Sequence, residues 1–517
     1  MRGHYHQRLR HFTAGSFCCL ALMIVCSGRG EILGPPAVQV VETVLVGTRD
    51  PDGTEAFLGI PYAQPPVGDA RWQAPTPWPF AAQRRDASRF APACMQSGSG
   101  LAWYHGMMTR VGVDPALMAG PDYSEDCLYL NVWSDPGIPG PKPVLVFIHG
   151  GSNTGGWSYE PNYHGGPLAR QGLVVVTVAY RLGVFGWLSH PEMDIENPAL
   201  HDLALGLEWV HDHIARFGGD PGRIIVSGES SGAANALHLA LSPLSRGRIA
   251  GVIHQSGGWP ADGVPTPQVA KSRGLALQQD LVGEEGSLDA LRRLPAAQIM
   301  NASRDIYADF QFDAIQDPVS LPSTVQELIE RDAFPPLDIV LGSNLNESLM
   351  YIAPGDSPEA YLAGRVSPGS AADVLGSYAE DTPREVILDQ LGTGLDFLCP
   401  TLKIASAVAH GGGRAWVYRF DRVRPGFAAI GAYHGAELPY VFDTHDAWLP
   451  TEAADRELTA TLLGYWQRFA ERGDPNGAGA PAWPVWQPGS QQAVILSADT
   501  SPELHPDVAF CDALYGD

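Results

Sequence analysis

One kind of positive charge is almost missing from this chain. Lysine occurs only at Lys142, Lys271 and Lys403, and arginine carries nearly all the cationic character. Against 33 Lys and Arg stand 57 Asp and Glu, for a formal net charge of −24. A surface this acidic repels phosphate backbones, which speaks against a nucleic-acid partner. No long linker, low-complexity block or internal repeat divides the 517 residues, which argues against a solenoid or a string of small modules. No Gly-rich run has the Walker spacing with its following Lys-Ser or Lys-Thr, so a phosphate-binding loop is excluded. The Cys and His residues lack metal-ligand spacing, and no metal or organic cofactor is implied.

Cysteine is sparse but ordered. The N-terminus reads as a secretory leader over residues 1–28. Arg2, Arg8 and Arg10 make a basic region, Phe17 to Cys26 a short apolar stretch, and Ser27 and Gly28 a small-residue cleavage site. That stretch is too short for a membrane span, so no stable insertion is expected once the leader is cleaved. Cys18, Cys19 and Cys26 leave with it. Cys94, Cys127, Cys399 and Cys511 remain, an even number in an exported chain, which allows two disulfides in three pairings. The expected location is secreted or periplasmic.

What is present is an alternation of β-rich and helical runs, which points to an α/β fold with a mixed sheet. Strands are expected at 144–148, 173–179, 252–255, 339–343 and 415–420. Leu200, Leu203, Leu207, Val210 and Ile214 recur at spacings of three and four and form the apolar face of a helix. A long amphipathic helix is expected over 453–472, and helical additions to the sheet between 268 and 331. The densest chemical signal is Gly228-Glu-Ser-Ser-Gly232, between an apolar strand and an Ala- and Leu-rich helix. This is the nucleophile-elbow pattern: the turn is so tight that side chains at Gly228 and Gly232 would clash, and Ser230 is lifted to a helix N-terminus.

A serine hydroxyl needs a base, normally a histidine oriented by a carboxylate, and in this fold the chain order is nucleophile, acid, histidine. Of sixteen histidines, His434 stands in a Gly-rich turn soon after a strand, and Glu347 lies just past another strand end. His149-Gly-Gly-Ser-Asn-Thr-Gly-Gly156 follows the 144–148 strand and can turn backbone N–H groups toward an oxyanion. The N–H of Ser231, the residue after the nucleophile, is the remaining donor.

Taken in order, these motifs resemble the type-B carboxylesterases, a family that includes cholinesterases and related lipases. Phe57-Leu-Gly-Ile-Pro-Tyr-Ala-Gln-Pro-Pro-Val-Gly68 with Arg71-Trp72, and Ser124-Glu-Asp-Cys-Leu-Tyr-Leu-Asn-Val132, look like its two N-terminal signatures. Ala179-Tyr-Arg-Leu-Gly183, Phe217-Gly-Gly-Asp-Pro221, the elbow, Phe397-Leu-Cys-Pro400 and Tyr433-His-Gly-Ala-Glu437 continue the series. The resemblance implies an α/β-hydrolase fold with a large, mostly parallel mixed sheet, as a single domain over 29–517 with helical insertions. It implies a triad of Ser230, Glu347 and His434, with Gly151, Ser152 and Ser231 as oxyanion donors. It supports pairing Cys94 with Cys127 and Cys399 with Cys511. It also implies buried Arg181–Asp202 and Arg71–Glu125 ion pairs.

The departures are local. Ser152 stands where many relatives have Gly or Ala, and Ser231 where Ala is usual. Trp103 and Tyr104 do not match the place of the cholinesterase aromatic that binds quaternary ammonium. Trp157, Trp103, Tyr104 and Met107 are candidate pocket residues. The expected activity is hydrolysis of small carboxylic esters through an acyl-enzyme on Ser230. The alternatives are the non-catalytic adhesion branch of the same fold, which typically lacks a triad member, and a lipase acting on long-chain esters.

Overall fold

The stretch Leu173 to Ala179 is apolar and mostly β-branched, a composition that suits a strand covered on both faces. In the computed structural model its core, Val174–Val178, lies inside a large sheet. The structure describes residues 34–258, 264–445, 448–505 and 507–515; the leader expected over 1–28 lies outside them.

Among the described residues the main sheet has eleven strands. In chain order they are β1 (Thr48–Arg49), β2 (Glu55–Pro61), β3 (Tyr129–Ser134), β4 (Lys142–Ile148), β5 (Val174–Val178) and β6 (Gly219–Glu229). They continue with β7 (Gly251–Gln255), β8 (Asp338–Asn344), β9 (Arg414–Phe420), β10 (Gln492–Leu496) and β11 (Ser501–Leu504). The spatial order is β11-β10-β9-β8-β7-β6-β4-β5-β3-β2-β1. The seven strands from β10 across to β5 are mutually parallel. Antiparallel strands flank them on both sides. This is the α/β-hydrolase arrangement.

Side chains alternate across the sheet, and both faces are buried. Val144, Val146 and Ile148 pack on one side with Leu200, Leu203, Leu207 and Val210 of helix α1 (Pro198–His213). Ala236 and Leu237 of helix α2 (Ser231–Leu241) belong to the same cluster. Leu145 and Phe147 pack on the other side with Leu458, Leu462, Trp466 and Phe469 of helix α3 (Ala453–Arg472). Each fully buried aliphatic or aromatic side chain stabilises the fold by about 1.5–3 kcal/mol relative to exposure. Gly218, at φ 82°, supplies the left-handed residue that closes the turn after α1 and lets the chain re-enter the sheet as β6. Helical segments lie at Pro267–Val282, Leu288–Arg292, Ala296–Ile306 and Val325–Glu330, where additions to the sheet were expected. Among the described residues no helix is long and apolar enough to cross a membrane. The cysteines pair sequentially, Cys94 with Cys127 and Cys399 with Cys511.

The two expected ion pairs tie remote segments together. Arg181 Nε and Nη2 donate to the two carboxylate oxygens of Asp202 at 2.8 and 2.7 Å, and the Arg181 backbone N–H adds a third bond at 3.1 Å. Both side chains are essentially excluded from solvent. Arg71 forms a second fork on Glu125, at 2.6 and 2.7 Å, and donates to the carbonyls of Arg292 and Leu294. Desolvation offsets much of what such a pair gains, but one partner left alone is a buried, uncompensated charge. Asp202→Ala is therefore expected to destabilise by about 3–5 kcal/mol, seen as a lower denaturation midpoint and reduced folded yield. An unchanged midpoint would contradict this account.

Candidate active site

The elbow is built by contact between backbones. A Cβ on Gly232 would lie 2.1 Å from the carbonyl oxygen of Ile148, and one on Gly228 2.3 Å from the backbone of Gly232. Only glycine allows the end of β6, the start of α2 and the end of β4 to approach this closely. Between the glycines Ser230 is held at φ 57°, ψ −133°, a strained conformation for a residue with a side chain. Its N–H donates to the Gln255 carbonyl at 2.8 Å, which fixes the turn to β7. The oxyanion-loop candidates Gly151 and Ser152 follow β4, at φ 104° and 54°. Ser231 opens α2, and its N–H, at the first helical position, has no acceptor within the helix.

The acid and histidine loops sit past the ends of β8 and β9. A parallel bridge joins Asn346 to Tyr433, and the Asn346 side chain accepts from the Ala432 N–H while donating to Asp389. Glu347 is fully buried. One of its oxygens accepts from the Ser256 hydroxyl and the Asn344 N–H, both at 2.6 Å. The other accepts from His434 Nδ1 at 2.7 Å. Ser230, His434, Gly151 and Ser152 line one cavity of about 210 Å³ with Glu229, Glu160, Trp103, Tyr104 and Tyr351. The structure thus brings together the serine, the acid–histidine pair and the Gly-rich loop, each at the carboxyl edge of the parallel strands. Of the four aromatic and Met candidates for the pocket, Trp103 and Tyr104 line it. Trp157 instead packs in a small cluster with Ala93 and Tyr104, and Met107 belongs to the core on the α3 side of the sheet.

Three further carboxyl groups surround this centre. Glu229 Oε1 lies 3.3 Å from His434 Nε2. Glu437 accepts from Gln255 and Asn344 at 2.9 and 2.7 Å. Glu160 accepts from the Tyr104 hydroxyl at 2.8 Å and the Trp157 N–H at 3.0 Å. Glu229 and Glu437 stand inside the two motifs that flag Ser230 and His434, and that adjacency was the only signal of them in the sequence. Burial pushes Glu229 up to about 8, aided by its carboxylate neighbours and opposed by His434. Burial also raises Glu160, to about 7, and raises Glu437. For His434, burial favours the neutral ring, but the charge of Glu229 and the hydrogen bond and charge of Glu347 outweigh it, lifting it to about 9. Glu229 and His434 therefore titrate as a pair: a proton leaving one is held more tightly by the other.

The sequence matches the carboxylesterase family over residues 35–365 and 376–510. It is 32% identical over 490 residues to the para-nitrobenzyl esterase of Bacillus subtilis (strain 168), covering 89% of this chain and 94% of that one. It is 32% identical to the fumonisin B1 esterase of Sphingopyxis macrogoltabida, over 84% of this chain and 82% of that one. The phenmedipham hydrolase of Pseudarthrobacter oxydans is 31% identical, at 89% and 94% coverage. Among solved structures, a PNB esterase superposes with a TM-score of 0.79 at 30% identity, covering 93% of this chain and all of that one. A thermophilic PNB esterase gives 0.81 at 29% identity, with the same coverage. The chain belongs to the carboxylesterase family. It is a carboxylic ester hydrolase.

The close packing at the elbow makes a direct prediction. Gly232→Ala places a methyl carbon against the Ile148 and His149 carbonyls, and neither backbone has room to yield. The variant is expected to show a lowered melting temperature and loss of ester hydrolysis together. Wild-type values for both would mean that the elbow can open.

Proposed function

We propose that this protein is an exported serine esterase that hydrolyses small carboxylic esters through an acyl-enzyme on Ser230. The observation that carries the reading is the buried Glu347–His434 hydrogen bond at 2.7 Å, opening onto the cavity that also holds the strained Ser230. Glu347 fixes Nδ1 as the protonated nitrogen and leaves Nε2 to act as base. Ser230 Oγ attacks the ester carbonyl while His434 takes its proton. The tetrahedral oxyanion is held by the N–H groups of Gly151, Ser152 and Ser231. The C–O bond to the alcohol then breaks, with the His434 proton passing to the leaving oxygen. Water repeats the cycle on the acyl-enzyme and releases the acid. The basic and apolar leader and the two disulfides support export to an oxidising compartment, secreted or periplasmic.

Ser230→Ala is expected to lower kcat by several orders of magnitude with the melting curve retained. Mass spectrometry after a fluorophosphonate should place one adduct on Ser230 in the wild type and none in the variant. An adduct on Ser231 instead would refute the assignment.

The paired titration predicts the acid side of the pH profile. His434 must be neutral to accept the proton, and its surroundings hold it protonated above the ordinary histidine value of about 6.5. The fall of kcat/KM on acidification should therefore have its midpoint above 6.5. Glu229→Gln removes the competing proton acceptor beside Nε2 and should move that midpoint to lower pH. An unmoved midpoint would show that Glu229 does not couple to the base.

A further inference from the structure

Three successive residues of the loop after β4 have positive φ: Gly151 at 104°, Ser152 at 54° and Asn153 at 57°. A left-handed conformation costs little at Gly151 but is unfavourable at Ser152 and Asn153, and it persists only where the surroundings over-determine it. What over-determines it here is one completely buried side chain, Asn153. Its carboxamide Nδ2 donates to the Phe312 carbonyl at 2.9 Å, and its Oδ1 accepts from Asn235 Nδ2 at 2.7 Å. The Tyr180 hydroxyl lies 3.3 Å from the same Oδ1 and donates to the His149 carbonyl at 2.9 Å. The Asn153 carbonyl accepts from the Gly183 N–H at 2.6 Å. Its own N–H, the next after those of Gly151 and Ser152, donates to Ser231 Oγ at 3.1 Å.

That last bond crosses the oxyanion hole. Ser231 belongs to the elbow helix and Asn153 to the opposite loop, and the two elements supply the donors from different parts of the chain. An alanine at position 231 would have no atom that can accept the Asn153 N–H. With alanine there, a buried N–H would be left without a partner, and the loop would be free to relax toward another φ.

We propose that Ser231 and Asn153 are positioning residues that lock the spacing of the three oxyanion donors, Ser231 through its hydroxyl and Asn153 through its carboxamide. The proposal rests on the reading of Ser230 as nucleophile. Neither side chain touches the ester. Both act through the backbone N–H groups beside them, where a displacement of a few tenths of an ångström weakens bonds to the oxyanion more than bonds to the ground-state carbonyl.

The test uses Ser231→Ala, which removes the acceptor, and Asn153→Gly, which removes the carboxamide but still permits the left-handed backbone. Steady-state kinetics on a soluble aryl ester would be measured alongside the Ki of an aryl trifluoromethyl ketone. That ketone adds to the serine and places a real oxyanion in the hole. Each variant is expected to lose about 10-fold or more in kcat with KM within about twofold, less than the loss from deleting a donor outright. The ketone should weaken in proportion to kcat/KM. The double variant should lose less than the product of the two single losses, because both bonds hold the same loop segment. A purely structural role would lower the melting temperature while kcat per folded molecule and the ketone affinity stayed at wild type. Wild-type kcat and ketone affinity in Ser231→Ala overturn the proposal, whatever Asn153→Gly does. Fluorophosphonate labelling of the wild type, run in parallel, separates the two levels. A Ser230 adduct with wild-type variants sinks the positioning role alone, whereas no Ser230 adduct sinks the nucleophile assignment and the positioning role together.

Discussion

The close approach of Gly232 to the carbonyls of Ile148 and His149 governs the rest of the site. It presses the N-terminus of α2 onto the end of β4, so Ser230 and the Gly-rich loop are set by one contact. Strand order does the remaining work. β4, β6, β7, β8 and β9 are all parallel, so their carboxyl ends deliver loop 150–153, Ser230, Ser256, Glu347 and His434 to the same edge. No side chain needs to reach far, and each can be held by short bonds to neighbouring backbone. The strained conformation at Ser230 is sustained because the glycines on either side leave the turn no other route.

Four glutamates with distinct environments then share the space around one histidine. Glu347 receives three donors, the Ser256 hydroxyl, the Asn344 N–H and His434 Nδ1. Burial raises Glu229, Glu437 and Glu160, and each holds its proton to higher pH. For these three, burial is the largest influence on how tightly the proton is held.

Much of this was legible in the sequence, for identifiable reasons. β4, β5, β7, β8 and β9 were expected within two residues of where they occur, because short runs rich in β-branched, aliphatic and aromatic residues mark strands. α1 and α3 followed from their apolar spacing. Glu347 was reachable through chain order and motif, being an ordinary loop carboxylate by composition. Ser256 was not reachable: its contact with Glu347 spans 91 residues and depends on β7 and β8 being neighbours. The Asn153 network escaped for the same reason, since its partners lie at 180, 183, 231, 235 and 312. Trp157 and Met107 were candidates for the cavity because large apolar residues near a Gly-rich loop can face either way, and here both are buried in apolar clusters.

The bridge between Asn346 and Tyr433, reinforced by the Asn346 side chain on Ala432, makes two distant loops one mechanical body. Glu347 and His434 each follow a bridged residue directly, so neither can drift without dragging the other. Local opening at this edge would release acid and histidine together, and closing would restore both in register. Such opening would change the fraction of molecules with an assembled pair without loosening the pair in the rest. A single inserted residue in either bridged loop would then displace both members of the pair.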